Sequence, residues 1–312
     1  MERIFQRLNQ IINGPEIAIF HEFHKPPYGG GNQFLIALEK ELKKRGQSVG
    51  RNKVGNNTKI VLFNSFNFDF DKLKGTKKRY PNLKMIHRVD GPISTYRGES
   101  IEIDKKIYEL NHDLADKTIF QSNYSLNKHH ELGLDFKNAS VITNAVDQKI
   151  FNANDRKKFG GKIKLIATSW SNNPQKGGPT LAWLDEHLDT SKYELTFVGR
   201  TKNVFKNTKV IDAVPSEELA QILKQNDIYI APSENDPCSN ALLEALACGL
   251  PSAYRLSGGH PELVGGAGEP FTHNESLILA IDKIASNHAF YEAQIKPRTI
   301  AQATDQYLKI FT

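Results

Sequence analysis

Asn235-Asp236-Pro237-Cys238-Ser239-Asn240-Ala241-Leu242-Leu243-Glu244-Ala245-Leu246-Ala247-Cys248-Gly249-Leu250-Pro251 places one carboxylate in a loop and another, eight residues on, inside a short helix. Ser239 or Asn240 can cap that helix by accepting a bond from a free backbone N–H. Leu242, Leu243 and Leu246 form its apolar stripe. Gly249 supplies a left-handed stop, and Pro251 prevents continuation. Glu244 then falls between the first and second turns, near the positive end of the helix dipole. The N–H groups around Asn240 and Ala241 can face an anion. Two carboxylates flanking a small, polar helix start suit a ligand that carries sugar hydroxyls and phosphate together. A surface helix with a solvated glutamate is the plainer alternative.

Working outward, 312 residues favour two domains of similar size. No apolar run approaches the length of a membrane span. Met1 to Arg7 lacks the apolar core of a signal peptide. The two cysteines, Cys238 and Cys248, lie roughly 12–15 Å apart if the helix forms, too far for a disulfide. They read as reduced thiols, and the expected compartment is the cytoplasm.

The net charge of +6 is concentrated in the first half, at Lys43-Lys44-Arg45 and Lys77-Lys78-Arg79. Two readings stay open: solvated helix ends, or peripheral contact with an anionic membrane face. Nucleic acid is not an expected partner, because the clusters lack interleaved aromatics and match no binding module.

Strand and helix patterns alternate along the whole chain. Strands are predicted at 16–20, 59–63, 84–87, 118–120 and 140–142, with helices over 32–45, 101–111 and 124–132. The polar stretch 147–162, with Gly160-Gly161, reads as a boundary. A second alternation follows, with strands at 164–167, 194–198 and 227–230 and helices over 180–188 and 216–225. The expected fold is α/β with two Rossmann-like, doubly wound domains. They would cover 1–154 and 155–295, with a terminal helix over about 296–312 that can pack back on the first. Two such halves joined by a hinge imply a central cleft, since open parallel sheets bind ligands beyond the carboxyl ends of their strands.

Four loops follow strands and could serve that cleft. His21 to Asn32 contains Gly29-Gly30-Gly31 before a helix, either a flexible turn or a backbone that can approach phosphate. His21 and His24 lack a third ligand for a metal. His87-Arg88-Val89-Asp90 ends a strand, and His87 is open to a structural or a substrate-contacting role. Ser169 to Gly178 carries Lys176-Gly177-Gly178 before a helix, which suits a diphosphate without P-loop spacing. Arg200, after Val198-Gly199, can add a second cation. The fourth loop is the opening segment, continued by Ser257-Gly258-Gly259-His260-Pro261-Glu262. Asp69-Phe70-Asp71 reads as a polar strand end rather than a metal site.

These pieces resemble a retaining glycosyltransferase of the GT-B fold, similar to glycosyltransferase family 4. The resemblance is carried by Asp236 to Glu244 with seven residues between, by the Cys248-Gly249-Leu250-Pro251 end, by Gly29-Gly30-Gly31, by Val141 to Asp147, by Phe197-Val198-Gly199 and by Gly258 to Leu263. It implies that Glu244 binds the ribose hydroxyls of a nucleotide and that Asp236 contacts the donor sugar. Backbone amides around Cys238, Ser239 and Asn240 would hold sugar hydroxyls or phosphate. Lys176 would bind the diphosphate, Gly29, Gly30 and Gly31 would close over it, and His87 would sit beside the reacting sugar. The co-substrate is then a nucleotide-diphosphate sugar, the acceptor a glycan or lipid-linked hydroxyl, and neither cofactor nor metal is expected. The chain departs from the family in two places. Its first acidic residue is Asp rather than Glu, and Ser169-Trp170-Ser171-Asn172-Asn173 replaces an expected Arg, with Arg200 the available substitute. A sugar-nucleotide epimerase, a phosphorylase and a non-catalytic binding subunit are the competing readings.

Overall fold

Short apolar runs without alternation, such as Ile17-Ala18-Ile19-Phe20, belong to strands buried on both faces, as helix-covered parallel sheets require. A computed structural model describes residues 13–25, 29–66 and 68–312 of the chain; Met1 to Arg7 lies outside them. The described residues form two compact units, one of 13–24, 35–143 and 300–312, the other of 25–34 and 144–299.

The first unit holds a six-stranded sheet in the order β2-β1-β3-β4-β5-β6. These strands are β1 (Ile17–Phe20), β2 (Val49–Arg51), β3 (Ile60–Asn64), β4 (Lys84–Val89), β5 (Lys117–Phe120) and β6 (Ala139–Val141). All neighbours are parallel, with Ile17 opposite both Val49 and Ile60. The second unit repeats the plan in the order β12-β11-β10-β7-β8-β9. Its strands are β7 (Ile163–Ser169), β8 (Tyr193–Gly199), β9 (Lys209–Ile211), β10 (Ile228–Ala231), β11 (Ser252–Arg255) and β12 (Gly268–Phe271). Each unit is thus a doubly wound α/β layer with its own apolar core, including Phe20, Val61 and Met85 in the first and Ile166, Tyr229 and Leu242 in the second.

The expectation for Asp69-Phe70-Asp71 is corrected here. Asp69 ends no strand; its carboxylate accepts the Lys72 N–H at 2.9 Å and caps the helix Phe70–Arg79. Leu73 is the one buried residue of that helix, so almost no apolar period exists to betray it in the sequence. The helix Ile300–Phe311 belongs to the first unit, where Arg45 ion-pairs with Asp305 and donates to the Ala301 carbonyl at 2.9 Å. The basic run beside it is largely neutralised by its own helix: Lys43 meets Glu39 at 2.5 Å, and Lys44 and Arg45 meet Glu41 at 3.3 and 3.1 Å. These contacts describe the solvated-helix-end reading of that cluster.

Candidate functional site

In the second sheet β7 and β10 are neighbours, yet the chain leaves them toward opposite edges. Their carboxyl-end loops therefore diverge and open a crevice, the place where doubly wound sheets take ligands. The β7 loop ends in a 3-10 turn, Pro174–Lys176, whose start is capped by the Asn173 side chain accepting the Gln175 N–H at 2.9 Å. Gly177 follows with φ +83°, and a Cβ there would lie 2.4 Å from Pro232. Only glycine lets the β7 and β10 loops touch at this point. The Glu234 N–H then donates to the Gln175 carbonyl at 2.8 Å, tying the two loops together.

That tie brings Lys176 onto Asp236, with Nζ 2.8 Å from Oδ2. The Asp236 side chain is only 9% exposed, so solvent screens the pair weakly. Burial pushes the Asp236 carboxyl up, but the Lys176 charge and hydrogen bond outweigh it and hold the group below its usual range. Oδ1 also accepts the Cys238 N–H at 3.2 Å. From behind, Gly259 N–H donates to the Asp236 carbonyl at 2.9 Å, and a Cβ on Gly258 would come within 2.3 Å of that oxygen. His260, quoted in the sequence only as part of a motif, is a further positioning group. Its Nδ1 lies 3.1 Å from the Arg255 carbonyl, which can only accept, so Nδ1 carries the proton and Nε2 accepts from the Ser233 hydroxyl at 3.1 Å.

Ser239 caps the next helix, Asn240–Ala247, by accepting the Leu242 N–H at 3.3 Å. Asn240 opens that helix and accepts from the Asn144 side chain at 3.1 Å. Gly30 packs against the Asn240 amide so closely that a Cβ would fall 2.3 Å from its Nδ2. Gly29, at φ +68°, precedes a helix that begins at Gly30 rather than Asn32, so Gly30 and Gly31 form its first turn; a Cβ on Gly31 would meet nothing within 4 Å. Glu244 is half-buried on the same helix as Asn240, and its carboxyl group has no hydrogen bond or ion pair among the described residues. Burial with no compensating partner pushes its carboxyl up to about 8.

Arg200 leaves β8 immediately after Gly199, whose Cβ would strike the Ser169 carbonyl at 1.8 Å. This close approach lets Arg200 N–H donate to that carbonyl at 2.9 Å. Arg200 and Lys176 consequently line one pocket of about 120 Å³, together with Ser169, Asn173 and Asn203.

His87 lies in the first unit, inside the sheet, with no exposed surface. Its Nε2 donates to the Ser65 carbonyl at 2.9 Å and its Nδ1 accepts from Asn111 at 3.1 Å, while the ring stacks on Phe63 at 4.3 Å. Burial drives its pKa down to about 3, so the ring is neutral. Of the two roles open in the sequence, these contacts describe the structural one. Both ring nitrogens are spent, which leaves no donor or acceptor for a substrate.

Residues 181–287 match the family model of the glycosyl transferases group 1. Over 199 residues the chain is 22% identical to N-acetyl-alpha-D-glucosaminyl L-malate synthase of Bacillus anthracis, which covers 58% of this chain and 52% of that protein. The chain thus spans about half the length of the curated relative it matches. Among solved structures, Anabaena HepE in complex with UDP and glucose superposes with a TM-score of 0.72 at 15% identity, covering 95% of this chain and 99% of the other. The catalytic domain of Arabidopsis thaliana starch synthase IV, bound to ADP and acarbose, gives 0.73 at 10% identity over 95% and 98%. The chain has the GT-B fold of these solved structures, and its residues 181–287 match the glycosyl transferases group 1 model.

Proposed function

We propose that this protein is a retaining glycosyltransferase that moves a sugar from a nucleotide-diphosphate donor to a hydroxyl of a glycan or lipid-linked acceptor, without a metal. The observation that carries the reading is the meeting of Lys176 and Asp236 at the switch point of the second sheet, with an unpaired Glu244 on the helix that follows. A nucleotide has three features for these groups to grip. The ribose diol gives two hydroxyls to the Glu244 carboxyl group, which lacks a partner among the described residues. The diphosphate gives anionic oxygens to Lys176 and Arg200, and to the N–H groups at the start of the helix Asn240–Ala247. The transferred sugar gives hydroxyls to Asp236.

In the reaction the bond from the anomeric carbon to the phosphate oxygen breaks, and the acceptor oxygen bonds to that carbon on the same face. The acceptor's proton passes to the departing phosphate oxygen. Negative charge grows on the diphosphate as the bond opens, so a cation already fixed nearby stabilises the transition state more than the ground state. Lys176 is that cation. The ion pair with Asp236 holds its ammonium at the crevice before a donor arrives.

The test is a thermal-shift screen against UDP, ADP, GDP and their glucose conjugates, with UDP first because a structural neighbour is described as bound to it. A stabilising nucleotide, followed by transfer or slow hydrolysis of its sugar that disappears in Lys176→Ala, supports the reading. Turnover of donor alone to an isomer would make the protein an epimerase. Binding without any loss of sugar would make it a non-catalytic binding subunit.

A further inference from the structure

The two basic runs of the sequence have opposite fates in the first unit. Lys43-Lys44-Arg45 is spent on Glu39, Glu41 and Asp305. Lys77-Lys78-Arg79 ends the helix Phe70–Arg79, which carries no acid after Asp71. In that run only Lys77 has a carboxylate, Asp116 at 3.9 Å. Lys78 and Arg79 are exposed and have no ion pair among the described residues; Arg79 lies over the Tyr80 ring at 5.5 Å. The carbonyl end of a helix carries about half a negative charge, which one cation offsets. This helix ends in three.

Topology decides which edge these charges occupy. Neighbouring strands of the first sheet are all parallel, so a helix that leads into a strand ends beside the strands' amino ends. Lys77-Lys78-Arg79 therefore lies at the edge where β4 and β5 begin, with Lys84 and Lys117 as their first residues. The helix Ile300–Phe311 finishes at the same place, because Lys84 Nζ donates to the Phe311 carbonyl at 3.3 Å, and it brings the exposed Lys309. Neither Lys117 nor Lys309 has an ion pair among the described residues. Burial and the charge of Lys117 hold the Lys84 ammonium below the usual lysine range, against the pull of Asp116. Two neighbouring acids are already engaged, Asp113 with Lys74 at 3.2 Å and Asp116 with Lys77.

We propose that the amino-end edge of the first sheet docks on an anionic phospholipid bilayer, with Lys78, Arg79, Lys117 and Lys309 turned to the headgroups. Charge complementarity selects this partner. The cations come from three separate elements, two helices and β5, and are spread along one edge rather than gathered at a point. That spread matches the laterally smeared charge of a lipid surface. A nucleic acid would need aromatic rings free to stack between the cations, and Tyr80 is already covered by Arg79. Each cation near an anionic surface contributes roughly fivefold in affinity, and the attraction fades within a Debye length, about 8 Å at physiological salt. β4 has six residues and spans about 20 Å, so docking on this edge leaves the carboxyl-end loops of the first sheet clear of lipid. Such docking requires neither a nucleotide nor an acceptor.

The test is co-sedimentation with vesicles of phosphatidylcholine alone and of phosphatidylcholine with about one-third phosphatidylglycerol, at low salt and at about 0.5 M salt. The native chain is compared with Lys78→Glu/Arg79→Glu and with Lys105→Glu/Lys106→Glu. The second pair makes the same change of net charge at exposed positions in the first turns of the helix Ile101–Leu114, away from the amino-end edge. The expected result is that the native chain sediments with the anionic vesicles only and is released by salt. Reversal at 78 and 79 should then weaken binding at least about tenfold, and reversal at 105 and 106 less than about threefold. Melting curves accompany each variant. Should the first reversal lower the melting point, Lys78→Gln/Arg79→Gln takes its place, with an expected loss of at least about fivefold. No binding of the native chain to anionic vesicles, binding that ignores salt, or equal losses in the two pairs overturns the proposal. Binding to polyglutamate or polyuridylate without binding to vesicles assigns the edge to another polyanion and overturns it too.

Discussion

The switch points of the two sheets are built on the same plan and furnished oppositely. In the second unit a cation and an anion face each other at 2.8 Å across the diverging loops. In the first unit the corresponding crevice is lined by a neutral imidazole, His21, whose Nδ1 has no hydrogen-bond partner among the described residues. A charged pair offers charge to a ligand, and a neutral ring offers none. The difference teaches that parallel topology fixes where a ligand binds, while the side chains on two or three loops fix what it is.

The comparison breaks most visibly at Lys176. Lys176→Ala should lower turnover by about 10²–10³-fold, with donor affinity falling less, because the ammonium meets charge that grows during the reaction. Steady-state kinetics check this, and equal losses in kcat and in donor binding would reduce Lys176 to a ground-state contact. The next largest effect concerns His87. His87→Ala should cost about 2–4 kcal/mol of stability, since it leaves a cavity, takes the ring donor from Ser65 O and leaves Asn111 Nδ2 with Thr118 Oγ1 alone. UDP affinity should be unchanged in the same variant, measured by calorimetry beside denaturant unfolding. A normal melting curve with lost transfer would restore His87 to the reacting sugar.

Glu244→Gln sharpens the second crevice. Nucleotide affinity above about pH 8, where the carboxyl is ionised, should fall about tenfold as one acceptor oxygen becomes an amide donor. Its stability effect depends on pH in a definite direction. The folded state holds the Glu244 proton up to about pH 8, whereas the unfolded chain releases it near the ordinary glutamate value. Raising the pH between those values therefore favours unfolding of the native sequence and not of the variant. The Tm of Glu244→Gln should exceed that of the native chain near pH 8 and match it below about pH 4.5. Parallel Tm curves across that range would show that Glu244 ionises normally. Asp236→Asn should act in the other direction on simple nucleotides. Releasing Lys176 from its buried partner tightens UDP by roughly threefold to tenfold while transfer is impaired, because Asn cannot replace the carboxylate toward the sugar. Weaker UDP binding in this variant would mean that the pair must stay intact for the diphosphate to dock. The smallest effects belong to the basic run of the first unit. Lys43→Ala and Lys44→Ala remove half-exposed pairs with Glu39 and Glu41, and each should change unfolding free energy by less than about 0.5 kcal/mol.

Much of the second crevice was legible in the sequence because its signals are local. A cap at Ser239, a stop at Gly249 and the eight-residue step from Asp236 to Glu244 are all properties of one segment. The ion pair from Lys176 to Asp236 is not local, and the resemblance assigned the two residues separately, one to the diphosphate and one to the donor sugar. The Phe70–Arg79 helix stayed hidden because its stability comes from a cap and one buried leucine, not from an apolar period. The short edge strands β2 and β9, three residues each, carry too few side chains for any period to register. His87 and His21 show the limit most clearly. One lies inside a buried strand and the other directly beyond one, and neighbouring sequence does not distinguish their roles. Asn111 and Ser65 satisfy the first, whereas Asn52 fixes only the backbone of the second, whose Nδ1 has no partner among the described residues. That distinction lives in contacts 22 to 31 residues away along the chain.

The central claim, that the second crevice grips a nucleotide diphosphate through Lys176, is tested most directly by calorimetric titration of UDP, ADP and GDP into the native protein and into Lys176→Ala. The account predicts that at least one of them binds the native chain and binds the variant at least severalfold more weakly. Equal affinity in the two proteins, or no binding of any nucleotide to the native one, would contradict it.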